Sequence, residues 1–110
     1  MLIIGAIYAD SQWLLKAKSA MLRQGWEIQH QSQIFPFDQT YYYSTEMGEG
    51  LKRCFLSIKG LQSLEFSADW KLKTAEIEQQ LSNKGKRRIN LDPGYLDLSR
   101  VVLLSGKEGS

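Results

Sequence analysis

The stretch LIIGAIYA (Leu2–Ala9) decides the fold, because it is an uninterrupted apolar run close to the start of the chain. A run of this length is typical of a β-strand that is buried on both faces. It is far shorter than the ~18 apolar residues of a membrane-spanning helix. Asp10 and Ser11 follow it, and both are good N-cap residues. The stretch therefore predicts a buried first strand that leads directly into a helix.

Two segments have the apolar spacing of an amphipathic helix. The first carries the stripe Trp13, Leu14, Ala17, Met21 and Leu22. Gly25 suits the position just after its last turn. The second begins after Gly60 and carries the stripe Trp70, Thr74, Ile77 and Leu81, with Ala68 and Leu72 beside it. Both helices are expected to pack one face against a sheet.

The region between the helices predicts further strands. Residues 26–34, WEIQHQSQI, alternate with period two, which is typical of a half-buried strand. After it, the pattern predicts a hairpin with strands at Tyr41–Met47 and Leu51–Ile58 and a turn at Gly48–Gly50.

The end of the chain is predicted to be extended on both sides of a tight turn. Ile89 and Leu91 begin one extended piece, and Val101–Leu104 forms a final apolar strand. Between them, Asp92-Pro93-Gly94-Tyr95 has proline and glycine in the order that a type II turn requires. The polar tail, residues 106–110, is predicted to be disordered.

The order of these elements is β–α–β–hairpin–α–β. It predicts an α+β fold in which two amphipathic helices pack on a mostly antiparallel sheet. The closest simple architecture is the ferredoxin-like split β-α-β sandwich. A length of 110 residues fits one domain, which is expected to span residues 1–110.

Composition argues against several classes of protein. The formal net charge of +2 is too small to indicate nucleic-acid binding by itself. A single cysteine, Cys54, excludes an internal disulfide framework and favours a cytoplasmic location. The phosphate-loop pattern G-x-x-x-x-G-K-[ST] is absent, so P-loop nucleotide hydrolysis is not expected. Asp38, Glu46 and Glu49 are interpreted as turn carboxylates in water rather than as Mg²⁺ ligands, so no metal centre and no cofactor are predicted.

Histidine and cysteine, the two side chains most often used in nucleophilic relays, occur once each. His30 would have to serve any Ser-His-Asp or Cys-His relay. It shares the apolar face of its predicted strand with Trp26, which favours a partly buried, packed histidine. Cys54, Leu56 and Ile58 are expected to point inward, where a buried thiol is inert.

Three stretches, FPFDQTYYYSTEMGEGLKRCFLS, WKLKTAEIE and RRINLDPGYLDLSRVVLLSGK, resemble a bacterial and archaeal family called domain of unknown function 4416. The likeness runs from Leu2 to about Lys107. Its most specific residues are Phe35–Asp38, Thr40, Tyr42, Tyr43, Glu46–Gly48, Lys71, Thr74, Glu78 and Asn90–Leu96.

The resemblance implies a protein of a family whose activity is not established. Some relatives carry a GTP-binding label, which the missing nucleotide signatures of this chain do not support. Ala75 stands where the family usually has asparagine, so an amide role is lost there. The family also continues with further β structure, and the chain is interpreted as lacking that C-terminal part. The sheet edge left uncovered keeps homo-oligomerisation among the predicted partners.

Polar residues of these family-like motifs fall at predicted turns, where binding and catalytic sites usually form. They favour a phosphorylated or nucleotide-like small molecule. The ligand-binding candidates are Lys52, Arg53, Lys71, Thr74, Arg87, Arg88 and Asn90. The catalytic candidates are Glu46, Asp92 and Tyr95, because a carboxylate and a phenol in one turn could orient a substrate or transfer a proton. The alternative for Asp92 and Tyr95 is a turn cap and a buried ring.

A different function rests on the consecutive residues Tyr41, Tyr42 and Tyr43. They alternate across a predicted strand, so one face exposes aromatic rings unless something covers it. With Lys52 and Arg53 nearby, that surface could stack RNA bases or bind a protein partner. Cross-strand packing is the plainer interpretation. We therefore predict a cytoplasmic small-molecule-binding or enzymatic domain without membrane association, with an RNA- or protein-interaction module as the alternative.

Overall fold

The computed structural model describes residues 1–37 and 46–96, together with the backbone of residues 101–103. The strands are β1 (Leu2–Tyr8), β2 (Ile28–Gln31), β3 (Phe35–Pro36), β4 (Lys52–Ile58), β5 (Ile89–Leu96) and β6 (Val101–Leu103). The helices are α1 (Ser11–Arg23) and α2 (Ser67–Gln80), the latter preceded by a 3-10 turn at Leu64–Phe66. Neither α1 nor α2 is long and apolar enough to cross a membrane.

Every strand pair in the described sheet is antiparallel. β1 lies at the centre, between β4 and β5. β2 and β3 pair one after the other with β4, and β6 pairs with β5. β1 and β2 therefore run parallel with β4 between them, which is the split β-α-β arrangement. The predicted α+β fold, with two helices on an antiparallel sheet, is confirmed.

The core lies between one face of the sheet and the inner faces of both helices. The sheet contributes Leu2, Ile4, Ala6, Tyr8, Cys54, Leu56, Ile58, Ile89 and Leu91. The helices contribute Leu14, Ala17, Ala20, Met21, Trp70 and Ile77. None of these residues is more than 4% exposed. The inward direction predicted for the β4 residues is confirmed.

Three residues that helical spacing placed in the apolar stripes lie on the outside of the molecule. Leu22 of α1 is 63% exposed, and Leu72 of α2 is 69% exposed. Ala68 is exposed as well. The buried side of α2 runs through Trp70 and Ile77, and a residue two positions after Trp70 points about 200° away around the helix. The predicted stripes are wider than the faces that touch the sheet.

β4 does not begin by pairing with a strand at Tyr41–Met47, as the predicted hairpin required. Its first residues, Lys52 and Arg53, pair with β3. Glu46–Met47 is helical rather than extended, and residues 38–45 lie outside the described part of the chain. Phe37 donates its N–H to the carbonyl oxygen of Leu51 on the β4 side, so the nitrogen of Pro36 faces away from β4 and its missing N–H breaks no ladder bond.

The predicted type II turn at Asp92–Tyr95 does not form. β5 continues through these residues, and Pro93 and Gly94 pair with Ile4 and Ile3 of β1. Pairing along the whole length of β1 outweighs the local turn preference of a Pro-Gly sequence, because strand preferences depend strongly on tertiary context.

Pro93 fits inside β5 because its missing N–H faces away from β1. The N–H of Leu96 donates to the carbonyl oxygen of Met1 at 2.8 Å, on the β1 side. Backbone N–H groups alternate along a strand, so the Leu91 and Pro93 positions face the other edge. There, β6 pairs only with the last three residues of β5. The carboxylate of Glu78 accepts the Leu91 N–H at 2.6 Å, in the place of a neighbouring strand.

β2 contains an irregularity that moves its histidine. The register with β4 shifts between Ile28 and His30. His30 is therefore exposed, whereas Trp26 is buried at 3% exposure. The His30 N–H donates to Oγ of Ser57 at 3.1 Å. The prediction of a histidine packed on the apolar face is wrong, because the bulge breaks the period-two alternation.

Candidate functional site

Arg87, just before β5, holds the carboxylate of Glu46 with both its backbone and its side chain. Its backbone N–H donates to Oε2 of Glu46 at 2.8 Å, and its Nε donates to the same oxygen at 3.1 Å. Its Nη2 donates to Oε1 at 3.0 Å. Each side chain is 26% exposed, so water only partly screens the ion pair. The pair ties the segment before β4 to the start of β5.

The other end of the Arg87 guanidinium contacts β5 and α2. Nη1 donates to Oδ1 of Asn90 at 2.6 Å, and Nδ2 of Asn90 donates to Oδ2 of Asp92 at 2.8 Å. Nη1 also lies 3.8 Å from Oε1 of Glu78. These five residues are called the Arg87 network below. Four of them, all except Glu78, are site candidates from the sequence.

The carboxylate of Glu78 is the most enclosed of the charged groups that pair with Arg87. Its side chain is 15% exposed. Burial raises the pKa of Glu78 above its ordinary value of 4.5, against the opposing effects of the Leu91 N–H and the Arg87 charge. The neighbouring carboxylates of Asp92 and Glu46 raise it further. Glu78 therefore takes up a proton more readily than an exposed glutamate does.

A cleft of about 380 Å³ opens beside this network at the start of α1, and is called the α1 cleft. Its lining residues are Ala9, Asp10, Trp13, Glu46, Met47, Gly48, Asn83, Lys86, Arg87 and Arg88. Lys86, Arg87 and Arg88 supply positive charge, against the carboxylates of Asp10 and Glu46. The volume falls in the range of ~300–1,000 Å³ that is usual for small-molecule sites.

Trp13 lines this cleft, and its ring lies close to two cations, of which Arg88 also lines the cleft. Cζ of Arg88 lies 4.6 Å from the ring centroid, and Nζ of Lys16 lies 4.8 Å from it. Both distances fall within the range of cation–π attraction. Asp10 caps α1 by accepting the N–H of Gln12 at 3.0 Å, and this hydrogen bond lowers the pKa of Asp10. One wall of the cleft is thus the capped start of α1.

Two basic candidates from β4 lie outside the cleft. Nζ of Lys52 donates to the carbonyl oxygen of Ala9 at 3.1 Å, which brings Lys52 to the cleft rim. Arg53 lies on the face of the sheet away from the core, with Cζ 5.0 Å from the ring centroid of Phe55. Ile7 of β1 pairs with both Arg53 and Asn90, so one strand separates Arg53 from the Arg87 network.

Two further candidates, Thr74 and Tyr95, make contacts that belong to the helix and the core rather than to the cleft. Thr74 is 3% exposed, and its Oγ1 donates to the carbonyl oxygen of Lys71 at 3.0 Å within α2. The ring of Tyr95 stacks on Trp70 against the core, with 6.4 Å between centroids. Asp92 and Tyr95 are three residues apart in one strand and so face opposite sides of it. The carboxylate and the phenol are not held together as the predicted turn would have held them.

Among the cleft residues that are not candidates from the sequence, Asp10, Trp13 and Lys86 carry a charge or an aromatic ring. Trp13 has the spacing of a core residue, and it does pack against the core while also meeting cations. Lys86 belongs to a basic run that suits a helix end equally well. A usable signal was the position of Asp10 and Trp13 directly after a buried strand, since ligand sites often form at strand ends.

Two other predictions concern metal ligands and the tyrosine surface. Within residues 1–37 and 46–96, no three His, Cys, Asp or Glu side chains converge as metal ligands do. Tyr41–Tyr43, which carry the interaction-surface alternative, lie outside the described residues, as does Asp38.

Comparison with known proteins identifies the family of the chain. No curated protein matches the sequence. The family described as "Domain of unknown function (DUF4416)" matches residues 1–110. This match covers every residue of the chain and agrees with the resemblance of its motifs. The protein therefore belongs to the DUF4416 family.

Proposed function

We propose that this domain binds a phosphorylated, nucleotide-like small molecule in the α1 cleft. The observation that carries the proposal is the contact of Arg88 with the Trp13 ring, at 4.6 Å, in a cleft that Lys86 and Arg87 also line. An aromatic ring suits the flat face of a base, and clustered cations suit a phosphate.

Each wall of the cleft has a part in this binding mode. The base stacks on the Trp13–Arg88 pair, since both an indole and a guanidinium present a flat face. Lys86 is exposed, so its ammonium can reach a phosphate beside Arg88. The carboxylate of Asp10 accepts hydrogen bonds from sugar hydroxyls or base amino groups.

The arrangement supports binding rather than catalysis by the candidates chosen from the sequence. Among Glu46, Asp92 and Tyr95, Glu46 lines the α1 cleft and the other two do not. Asp92 is connected to the cleft through Asn90 and Arg87.

A thermal-shift panel of nucleoside mono- and diphosphates, sugar phosphates and pyrophosphate tests the proposal. A ligand at one hundred times its dissociation constant stabilises the folded state by about 2.7 kcal/mol. In a domain of this size, that raises the melting temperature by roughly 10 °C or more. Arg88→Ala and Trp13→Leu should each lose most of the shift, because they remove the cation and the stacking ring.

Lys59→Ala is the matched control. Lys59 forms an exposed ion pair with Glu27 at 3.4 Å and does not line the cleft, so this variant should keep the full shift. No shift with any compound, or an equal shift in wild type and Arg88→Ala, would contradict the proposal. Binding of single-stranded RNA that weakens steeply with salt would favour the interaction-module alternative.

A further inference from the structure

We infer that Glu46 fills an oxyanion site of the α1 cleft, and that a phosphate group of the ligand replaces it on Arg87. The inference rests on the proposed function and describes how ligand binding at the same site is regulated. In the unliganded protein, Glu46 competes with the ligand for Arg87. A phosphate monoester is the class of group that wins this competition.

The donors on Glu46 are of the kind that bind phosphate. The backbone N–H, Nε and Nη2 of Arg87 converge on one carboxylate, at 2.8, 3.1 and 3.0 Å. Two parallel guanidinium donors match the spacing of carboxylate and phosphate oxygens alike. The backbone N–H adds a third donor, and a terminal phosphate presents three oxygens.

Arg87 is held in place from its other side, independently of Glu46. Nη1 donates to Asn90 at 2.6 Å and lies 3.8 Å from the carboxylate of Glu78. Asn90 is 3% exposed and is itself fixed by a hydrogen bond to Asp92. The guanidinium therefore remains oriented when Glu46 leaves, and an incoming anion does not have to order it.

Glu46 lies outside the described strands, so its movement need not break a described strand pair. β4 begins only at Lys52. Between them, Gly48 and Gly50 have φ angles of +97° and +73°, which favour glycine. A Cβ added at either position would meet nothing within 4 Å. Rotation about these glycines can carry the Glu46 carboxylate away from Arg87.

Charge favours the exchange of a carboxylate for a phosphate. Lys86 and Arg88 line the same cleft as Arg87. A phosphate monoester carries close to two negative charges where Glu46 carries one, so it gains more from these cations. The opposing factor is the tether of Glu46, which gives its carboxylate a high local concentration.

Isothermal titration with inorganic phosphate, pyrophosphate and a nucleoside monophosphate tests the inference on wild type, Glu46→Gln and Glu46→Ala. If Glu46 fills the site in about nine molecules of ten, its removal should tighten binding about tenfold. Glu46→Gln keeps the shape of the side chain, so a loss of stability in Glu46→Ala does not decide the result. The double variant Glu46→Gln/Arg87→Lys should lose the gain, because lysine lacks the two-pronged donor.

Glu76→Gln, which removes an exposed carboxylate from α2, is the control and should bind as wild type does. Wild type that binds through Arg88 while both Glu46 variants bind no tighter would overturn the inference and leave the proposed function standing. An absence of binding in wild type and both Glu46 variants would overturn both. A gain that survives Arg87→Lys would show that Arg87 is not the donor. Binding seen only in the Glu46 variants would support the inference most directly.

Discussion

Among the described residues, the Arg87 guanidinium contacts Glu46 before β4, Glu78 on α2 and Asn90 on β5. Removing such a residue would take the Arg87 hydrogen bonds from several partly buried polar groups at once. The cost of burying those groups without these bonds would dominate the measured loss of stability. Arg87→Ala alone would therefore confuse a binding role with a folding role. This is why the tests above act through Glu46 and Arg88, and change Arg87 only to lysine, in combination with Glu46→Gln.

Glu78→Gln should make the stability of the protein less dependent on pH. Because burial raises the pKa of Glu78 in the folded state, the folded chain holds this proton more tightly than the unfolded chain does. Its contribution is therefore most favourable below the ordinary value of 4.5 and is lost as pH rises through the folded-state pKa. Glutamine keeps an acceptor for the Leu91 N–H without the charge. Urea unfolding at pH 4 to 8 should give a variant-minus-wild-type difference that rises with pH and then levels off.

Glu76→Gln on the exposed side of α2 separates burial from the simple loss of a negative charge. It should show no comparable rise. A flat difference for Glu78→Gln across the same pH range would mean that the Leu91 and Arg87 contacts fully compensate burial.

At the scale of elements, apolar patterns predicted the helices and the strands β1 and β4 correctly, whereas the turn predicted from the Pro93-Gly94 sequence was wrong. The helices and β4 follow apolar periodicity and β1 follows an uninterrupted apolar run, and the fold keeps all of them. The Pro93-Gly94 pair carries a strong turn signal, yet β1 offers β5 a continuous partner, and pairing prevails. The partner of β4 could not be found from loop length alone, because β3 reaches it from further away in the chain.

In the candidate site, some contacts follow from strand geometry and others do not. Asn90 and Asp92 share one side of β5 by strand alternation, and Arg87, just before the strand, joins them to Glu46. Tyr95 points the other way for the same geometric reason. The role of Trp13 depends on Arg88 arriving from a distant part of the chain, which no local pattern contains.

Substitutions along α2 should distinguish the buried face from the wider stripe that the sequence predicts. Leu72→Glu should change the free energy of unfolding by no more than about 0.5 kcal/mol, because Leu72 is 69% exposed. Ile77→Glu should cost about 4 kcal/mol or more, because it places a charge at a residue that is 0% exposed. Urea unfolding measures both.

Ile77→Val is the control for packing without charge, with an expected cost of about 0.5–1.5 kcal/mol. Equal effects of Leu72→Glu and Ile77→Glu would contradict the orientation of α2 on the sheet.

At the scale of the whole molecule, the single thiol reports global unfolding. Cys54 is 0% exposed in β4, opposite Ala6 of the central strand, and burial raises its pKa. Exposing it requires the sheet to come apart, so labelling by a thiol reagent should be slow in the native protein. The logarithm of the labelling rate should rise with urea with the full equilibrium slope. Labelling that does not depend on urea would instead reveal a local opening of β4.

The edge of β5 that faces away from β1 also affects aggregation, in which strands of different copies pair edge to edge. A growing fibril adds strands by finding successive unpaired N–H groups along an edge. On this edge the N–H of Leu91 is held by Glu78, and the next position, Pro93, has none. Among the described residues, these two family-motif residues leave no pair of adjacent donors to copy on this edge, and β6 pairs with the three residues beyond them. This proline and this carboxylate therefore make the edge of β5 a poor template for fibril growth.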